Sequence, residues 1–328
     1  MTPPLITLEE HFISSAAKER LAMLQYPIFS KQWESFPETA KAIWDTDTLR
    51  LASMDKNGVS LQVMSHVPGV LSVEECRAAN DEAAAAVKAN PSRLAGFAEL
   101  PIANSEDCAV ELRRCVNELG FVGALIGNHA NGVYYEGYSA LWQAAQDLDV
   151  PIYLHPAMPT AEQANAYCGG DIPPAVKAGI SQYAWGWHSD VATHVLQLFG
   201  AGVFDKFPRL KLIIGHFGEM LPFMVDRVQW ATTHWEKRQR PFRQVYEENI
   251  WITTSGVWSV DPMATILRNT PINKILYSVD YPFTSNEDGL KFMKALEESG
   301  LVTNEQLECI AYKNAERLLK VKATKVFD

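Results

Sequence analysis

A closed (β/α)8 TIM barrel is the fold class this sequence predicts, for three reasons. Short apolar, β-branched runs recur along the chain, a helix-periodic stretch follows each of them, and the whole is 328 residues long. Barrels of this kind run from about 200 to more than 400 residues. The runs are mostly continuous rather than alternating, which is how parallel strands covered on both faces read. An open doubly wound sheet is the alternative use of the same alternation. No GxGxxG or GxxxxGK[ST] phosphate loop follows any run, which removes the usual reason to prefer it. Right-handed strand–helix units close most simply on themselves, so one domain over residues 1–328 is expected.

The predicted strands are Leu5–Leu8, Leu61–Ser65, Leu94–Glu99, Val122–Ile126, Pro151–Leu154, Leu210–Gly215, Ile250–Thr254 and Lys274–Val279. Between them, Glu74–Ala89 is alanine-rich and stops at Asn90-Pro91, because the residue before proline is pushed out of the helical region. Ser105–Leu119 ends on Gly120, a natural C-cap. Tyr138–Leu148, Ser189–Phe199, Glu219–Lys237, Asp261–Leu267, Glu287–Ser299 and Asn304–Lys320 fill the later helical slots. Two connections are longer than the rest, Phe12 to about Trp44 after strand 1 and Pro156–His188 after strand 5. Both are rich in aromatics, including Phe29, Trp33, Trp185 and Trp187. Long βα connections build the wall or lid of a barrel's mouth, and a satellite core or subunit interface is the competing use of such aromatics.

Composition narrows the function. Hydrophobic residues make up 47% and charged residues 21%, a globular balance, and the formal net charge is −10. An acidic surface repels nucleic acid and anionic membranes. No run of about eighteen uncharged apolar residues is present for a membrane span, and the first residues show no basic n-region or long apolar h-region. The 5 cysteines are scattered without a CxxC pair, so a disulfide framework or zinc knuckle is not expected. A reduced, cytoplasmic protein is the expectation.

Chemistry gathers at the strand C-termini, which share one mouth in a barrel. Glu9-Glu10-His11 follow strand 1, His66 strand 2, Asn128-His129 strand 4, His155 strand 5, His216 and Glu219 strand 6, and Asp280 strand 8. Of 8 histidines only His188, His194 and His234 fall elsewhere. A lone histidine after a strand is usually structural; five at one end with carboxylates are harder to explain so. Glu9 and His11, two apart on an extended segment, face the same way. With His155 and Asp280 they form a mixed imidazole and carboxylate set that suits Zn²⁺ or Mn²⁺, with Mg²⁺ also admissible. Glu10 should point into the wall and find a salt bridge or hydrogen bond there. No organic cofactor is expected.

Four motifs carry a family resemblance over nearly the whole chain. They are Leu8-Glu9-Glu10-His11-Phe12, Tyr153-Leu154-His155-Pro156, Gly215-His216-Phe217-Gly218-Glu219 with Leu221-Pro222, and Ser278-Val279-Asp280-Tyr281-Pro282-Phe283. The chain resembles the aminocarboxymuconate-semialdehyde decarboxylase group of amidohydrolases. Its Glu-x-His start is most similar to the ortho-hydroxybenzoate decarboxylases, such as γ-resorcylate decarboxylase. The resemblance implies metal ligation by Glu9, His11, His155 and Asp280, with His216 and Glu219 as a pair behind Asp280. It further implies Arg227 as a substrate-binding residue, reaching across a subunit boundary of a homodimer or homotetramer, and Asn128 as a polar substrate contact. A solvated helix arginine is the plainer reading of Arg227.

The implied reaction removes CO2 from an ortho-hydroxybenzoate such as 2,6-dihydroxybenzoate, 2,3-dihydroxybenzoate, salicylate or orsellinate. Direct loss would leave an aryl carbanion; ring protonation first, assisted by the ortho-hydroxyl, avoids it. Asp280 is the expected proton donor, recharged by His216 on Glu219. Phe29 or Trp33 would sandwich the ring, and His66 would line the pocket. Two other classes compete. A metal-dependent hydrolase of a lactone, ester or amide would more commonly start His-x-His and carry a lysine on strand 4, whereas Val122–Ile126 has none. A silent binding barrel would have lost a ligand, and every expected ligand is present.

Overall fold

The computed structural model describes residues 3–17 and 37–324. Eight strands form in the expected order: β1 Leu5–Phe12, β2 Val59–His66, β3 Leu94–Gly96, β4 Ala124–Gly127, β5 Ile152–His155, β6 Leu212–Ile214, β7 Ile250–Thr253 and β8 Ile275–Leu276. All ladders are parallel, β1-β2-β3 in one sheet and β4 through β8 in the other. Consecutive apolar residues divide between two cores. Ile213 joins Ile6, Leu61 and Phe97 in one cluster inside the barrel, while its neighbours Leu212 and Ile214 pack outward under the helices. This division is why the strands read as unbroken apolar runs.

The ring of strands is completed at two seams where regular pairing lapses. Between β3 and β4 a single bridge joins Ala98 and Ala124, supported by Ala98 N donating to Gly123 O at 2.9 Å. Between β8 and β1 side chains replace the ladder. His11 N donates to Tyr281 O at 2.6 Å, and the Glu10 carboxylate accepts from Val279 N at 3.2 Å, Tyr281 N at 3.1 Å and Ser278 Oγ at 3.1 Å. Burial pushes the Glu10 carboxyl up to about 7 against the pull of those donors and of Arg50. Glu10 is thus the seam's acceptor, in the wall as its alternation with Glu9 and His11 required.

The helices differ from expectation mainly at their ends. Val73–Ala89 starts earlier because Ser72 and Glu75 form a capping box, with Glu75 N donating to Ser72 Oγ at 3.2 Å and Ser72 N to the Glu75 carboxylate at 2.7 Å. The connection after β5 contains two helices, Ala161–Tyr167 and Pro174–Ser181, before the helix Gly186–Gly200. The helix expected to open at Glu219 opens at Leu221. From His216 to Met220 every φ is positive, a conformation that no helix continues through. Helices over Pro37–Ala42, Thr48–Lys56 and Phe242–Asn249 lie outside the predicted set, and the last predicted one is interrupted by a π-turn at Cys309–Lys313.

Candidate metal centre and active site

β1 reaches the mouth through an irregularity. Its register to β2 pairs Thr7 with Gln62 but Glu10 with Met64, so β1 carries one extra residue. The amides of Leu8 and Glu9 both donate to Ser278 Oγ, at 3.0 and 2.8 Å. Such a bulge reverses the alternation beyond it. Ile6 and Leu8 fill the barrel below, and Glu9 and His11, rather than Glu10, face the mouth above. β5 delivers Tyr153 and His155 from one face by ordinary alternation. β6 is followed by Gly215, where an added Cβ would lie 3.0 Å from both Glu9 Oε2 and the Tyr153 hydroxyl. Glycine lets the chain pass that close without pushing either side chain back. Asp280 sits at φ 73, a left-handed backbone that costs a non-glycine residue roughly 1–2 kcal/mol and is kept where surrounding structure imposes it.

These elements bring Glu9, His11, His155 and Asp280 together, their ligand atoms all within 4.8 Å of one another. His155 Nε2 faces Glu9 Oε1 at 3.1 Å, and His11 Nε2 faces Asp280 Oδ1 at 3.3 Å. Glu9 Oε1, His11 Nε2 and Asp280 Oδ1 are nevertheless buried without a hydrogen-bond partner. Buried polar atoms are rarely left so. Atoms each about 2.1 Å from a common centre and about 100° apart would lie about 3.2 Å from each other. The donor set therefore fits a divalent metal ion better than it fits a set of hydrogen bonds.

Behind this group stand the orienting residues. The Tyr153 hydroxyl donates to Glu9 Oε2 and meets Thr253 Oγ1 at 2.8 Å. Ser65 Oγ lies 3.4 Å from His11 Nδ1, and the Pro156 carbonyl 2.8 Å from His155 Nδ1. Burial alone would raise the Glu9 carboxyl, but His216, His155 and His11 hold it well below the usual carboxylate range. His11 is lowered, chiefly by burial. His216 Nδ1 bonds Glu219 Oε1 at 2.7 Å while its Nε2 faces Glu9 Oε1 at 3.7 Å and Asp280 Oδ2 at 3.9 Å. Burial opposes the His216 cation, and the carboxylates of Glu219, Glu9 and Asp280 outweigh it, raising its proton affinity well above the ordinary value.

The remaining site candidates lie differently. His66 is buried, its Nε2 accepting from Ser14 N at 3.0 Å and its Nδ1 donating to Val67 O at 2.8 Å. Both nitrogens are engaged, which leaves none for a substrate. Asn128 is held by its neighbours, donating to Asp190 Oδ2 at 2.6 Å and accepting from Ala157 N at 2.8 Å. Arg227 is exposed and stacks on Trp230 at 4.4 Å; Asp226 pairs with Arg243 instead. Phe29 and Trp33 lie outside the described residues. His188, which sequence reading left outside the mouth, reaches Glu219 Oε2 at 2.6 Å. Tyr153 enters the sequence reading only as part of a motif, with no site role, although its sharing a strand face with His155 is a usable signal. His188 offered none, since it arrives at the end of a long connection.

An amidohydrolase family profile matches residues 26–321. The chain is 51% identical over 334 residues to decarboxylase orsB of Emericella nidulans, covering 99% of each chain. It is 33% identical to γ-resorcylate decarboxylase of Polaromonas sp., covering 96% of this chain and 98% of the relative. Among solved structures, a dihydroxybenzoic acid decarboxylase from Polaromonas with bound manganese and the inhibitor 2-nitroresorcinol superposes with a TM-score of 0.84. It is 30% identical, and the match covers 97% of both chains.

Proposed function

Since the chain belongs to the amidohydrolase family, we propose that it is a metal-dependent, non-oxidative decarboxylase of an ortho-hydroxybenzoate-type aromatic acid. The observation that carries the reading is the convergence of Glu9, His11, His155 and Asp280 on one point, with His216 and Glu219 directly behind. Decarboxylase relatives spanning the chain's length support the reaction class, and a manganese-bound neighbour supports Mn²⁺. Zn²⁺ suits the same donors. Glu9, His11, His155 and Asp280 would hold such a cation, which would supply Lewis-acid chemistry and a template for the substrate.

The protein's own residues do the rest. Asp280 Oδ1 belongs to the metal group, and its Oδ2 faces His216. From that place Asp280 gives a proton to the ring carbon bearing the carboxylate. The C–C bond then breaks, its electron pair restores the aromatic ring, and CO2 leaves. His216 returns a proton to Asp280, and Glu219 keeps its imidazole aimed there. Each turnover converts one carboxylate and one proton into one arene and one CO2. Carried over from the sequence, the proposed aromatic partner of the ring is Phe29 or Trp33, both outside the described residues. Asn128 and His66 act on the substrate indirectly, by fixing the neighbouring loops. The protein works in the cytoplasm as a homodimer or homotetramer. Exposed Phe223, Met224 and Trp230 on the helix that carries Arg227 support such an assembly, with Arg227 reaching a neighbouring subunit's substrate.

The test is a panel of ortho-hydroxybenzoates and a few lactones, with metal content measured on the same preparation. CO2 release from at least one benzoate is expected, lost on chelation and in Asp280→Asn. Lactone hydrolysis without CO2 release would replace the reading with a hydrolase. Undiminished turnover by Asp280→Asn or by metal-free protein would remove it.

A further inference from the structure

Glu219 is fully buried, and each of its oxygens is taken by an imidazole. Oε1 accepts from His216 Nδ1 at 2.7 Å and Oε2 from His188 Nδ1 at 2.6 Å, with the two imidazole centroids 4.9 Å apart. The second nitrogen of His188 meets another acceptor, the Tyr183 carbonyl, at 3.0 Å. Both ring nitrogens of His188 thus face acceptors. It stands in the first turn of the helix Gly186–Gly200, where its two successors are anchored as well. Ser189 Oγ meets the Tyr167 hydroxyl at 2.6 Å, and Asp190 accepts from Asn128 and from the Tyr134 hydroxyl. One helical turn thus ties together the connections after β4, β5 and β6.

A carboxylate held through one oxygen can still rotate about its terminal bond; held through both, its plane is set. We infer that His188 is a positioning residue of the reaction, fixing Glu219 so that Glu219 fixes His216 against Asp280. This inference rests on the proposed role of the His216–Glu219 pair. His188 touches neither the metal group nor, by this account, the substrate, so its loss should fall on kcat. The size should match other orienting partners behind a site, about 10–100-fold.

The experiment measures kcat and KM for 2,6-dihydroxybenzoate on manganese-loaded enzyme. It compares His188→Ala, His188→Asn, Glu219→Gln and the double variant His188→Ala/Glu219→Gln. The expected result is a kcat loss in His188→Ala with KM and metal content unchanged. Asparagine places an amide donor near the Nδ1 position and should restore most of the loss. The double variant should be no slower than Glu219→Gln alone, as residues acting through one another are non-additive. If the alanine variant fails to fold, His188→Gln, whose donor sits one bond farther out, replaces it in the comparison with asparagine.

Wild-type kcat in His188→Ala beside an impaired Glu219→Gln would overturn the inference alone. So would a raised KM at constant kcat, multiplied losses in the double variant, or no recovery with asparagine. Full activity in Glu219→Gln would overturn the inference and the pair's proposed role together. If wild type releases no CO2 from any hydroxybenzoate, the decarboxylase reading fails. The positioning claim is then read from the His216 Nδ1–H proton resonance, sharp in wild type and broadened in His188→Ala if the claim holds. An unchanged resonance refutes it.

Discussion

Replacing Tyr153 with phenylalanine isolates what one hydroxyl contributes to the metal group. The hydroxyl donates to Glu9 Oε2, and Glu9 is wholly buried, so no water takes its place. The ring stays in the barrel interior beside Phe97, at 6.3 Å between centroids. Thr253 keeps its contact with Ser255 Oγ at 2.8 Å, so little else is left unsatisfied. A hydrogen bond to a charged group is worth about 1.5–3 kcal/mol. At about 1.4 kcal/mol per decade, losing it should weaken Mn²⁺ binding by about 10–100-fold, the range seen when a partner behind a metal ligand is removed. Chelator competition on the purified protein measures the affinity, and a thermal melt confirms the fold. With saturating metal, kcat should recover most of its value, because the hydroxyl orients a ligand and does not move the reacting proton. An Mn²⁺ affinity within twofold of wild type would refute the account of Glu9 as an oriented ligand.

Gly215→Ala should fold, since its φ of −77 suits any residue, yet lose about tenfold or more in metal affinity. Its new Cβ presses on Glu9 and Tyr153 at 3.0 Å; wild-type affinity by the same competition assay would contradict this. His66 bears on the pH dependence of stability. Burial lowers its pKa from 6.5 to about 4, so the unfolded chain takes up the proton first and acid favours unfolding. The contribution is present above pH 6.5 and is lost as pH falls through about 4, with a slope of up to about 1.4 kcal/mol per pH unit. Urea titrations between those pH values should show a shallower acid limb in His66→Phe, and parallel limbs would count against a neutral buried His66.

Where the sequence succeeded and failed follows from how far each cause lies along the chain. The strands were legible because each continuous apolar run serves two cores, and that property is local. Counting alternation along β2 also places His66 correctly. Leu61 and Val63 lie in the interior cluster and Ser65 reaches His11, so His66 must face outward, where it packs on Phe12 at 5.3 Å. Its position at the strand's end suggested the mouth; its parity forbade it, and parity was the better guide. Asn128 stands one residue beyond β4 and turns aside to hold Ala157 and Asp190.

Glu9 poses the opposite case. Simple alternation from Ile6 and Leu8 would carry Glu10 into the mouth and leave Glu9 in the wall. What reverses this is the bulge at Leu8-Glu9, and its cause is Ser278 Oγ, which is 269 residues from Glu9 and takes both amides. Ser278 also donates to Glu10, which accepts the amides of Val279 and Tyr281. One serine therefore sets which acid faces the mouth, where we propose it as a ligand, and which joins the seam between the first and last strands. The segment Glu9-Glu10-His11 states the composition of the site, but the assignment of roles within it is written in the last strand. Local pattern finds residue types in barrels of this kind, whereas long-range seams decide which way they point. Substitutions at Ser278 should accordingly disturb metal binding and barrel closure together, although Ser278 belongs to neither ligand set nor core.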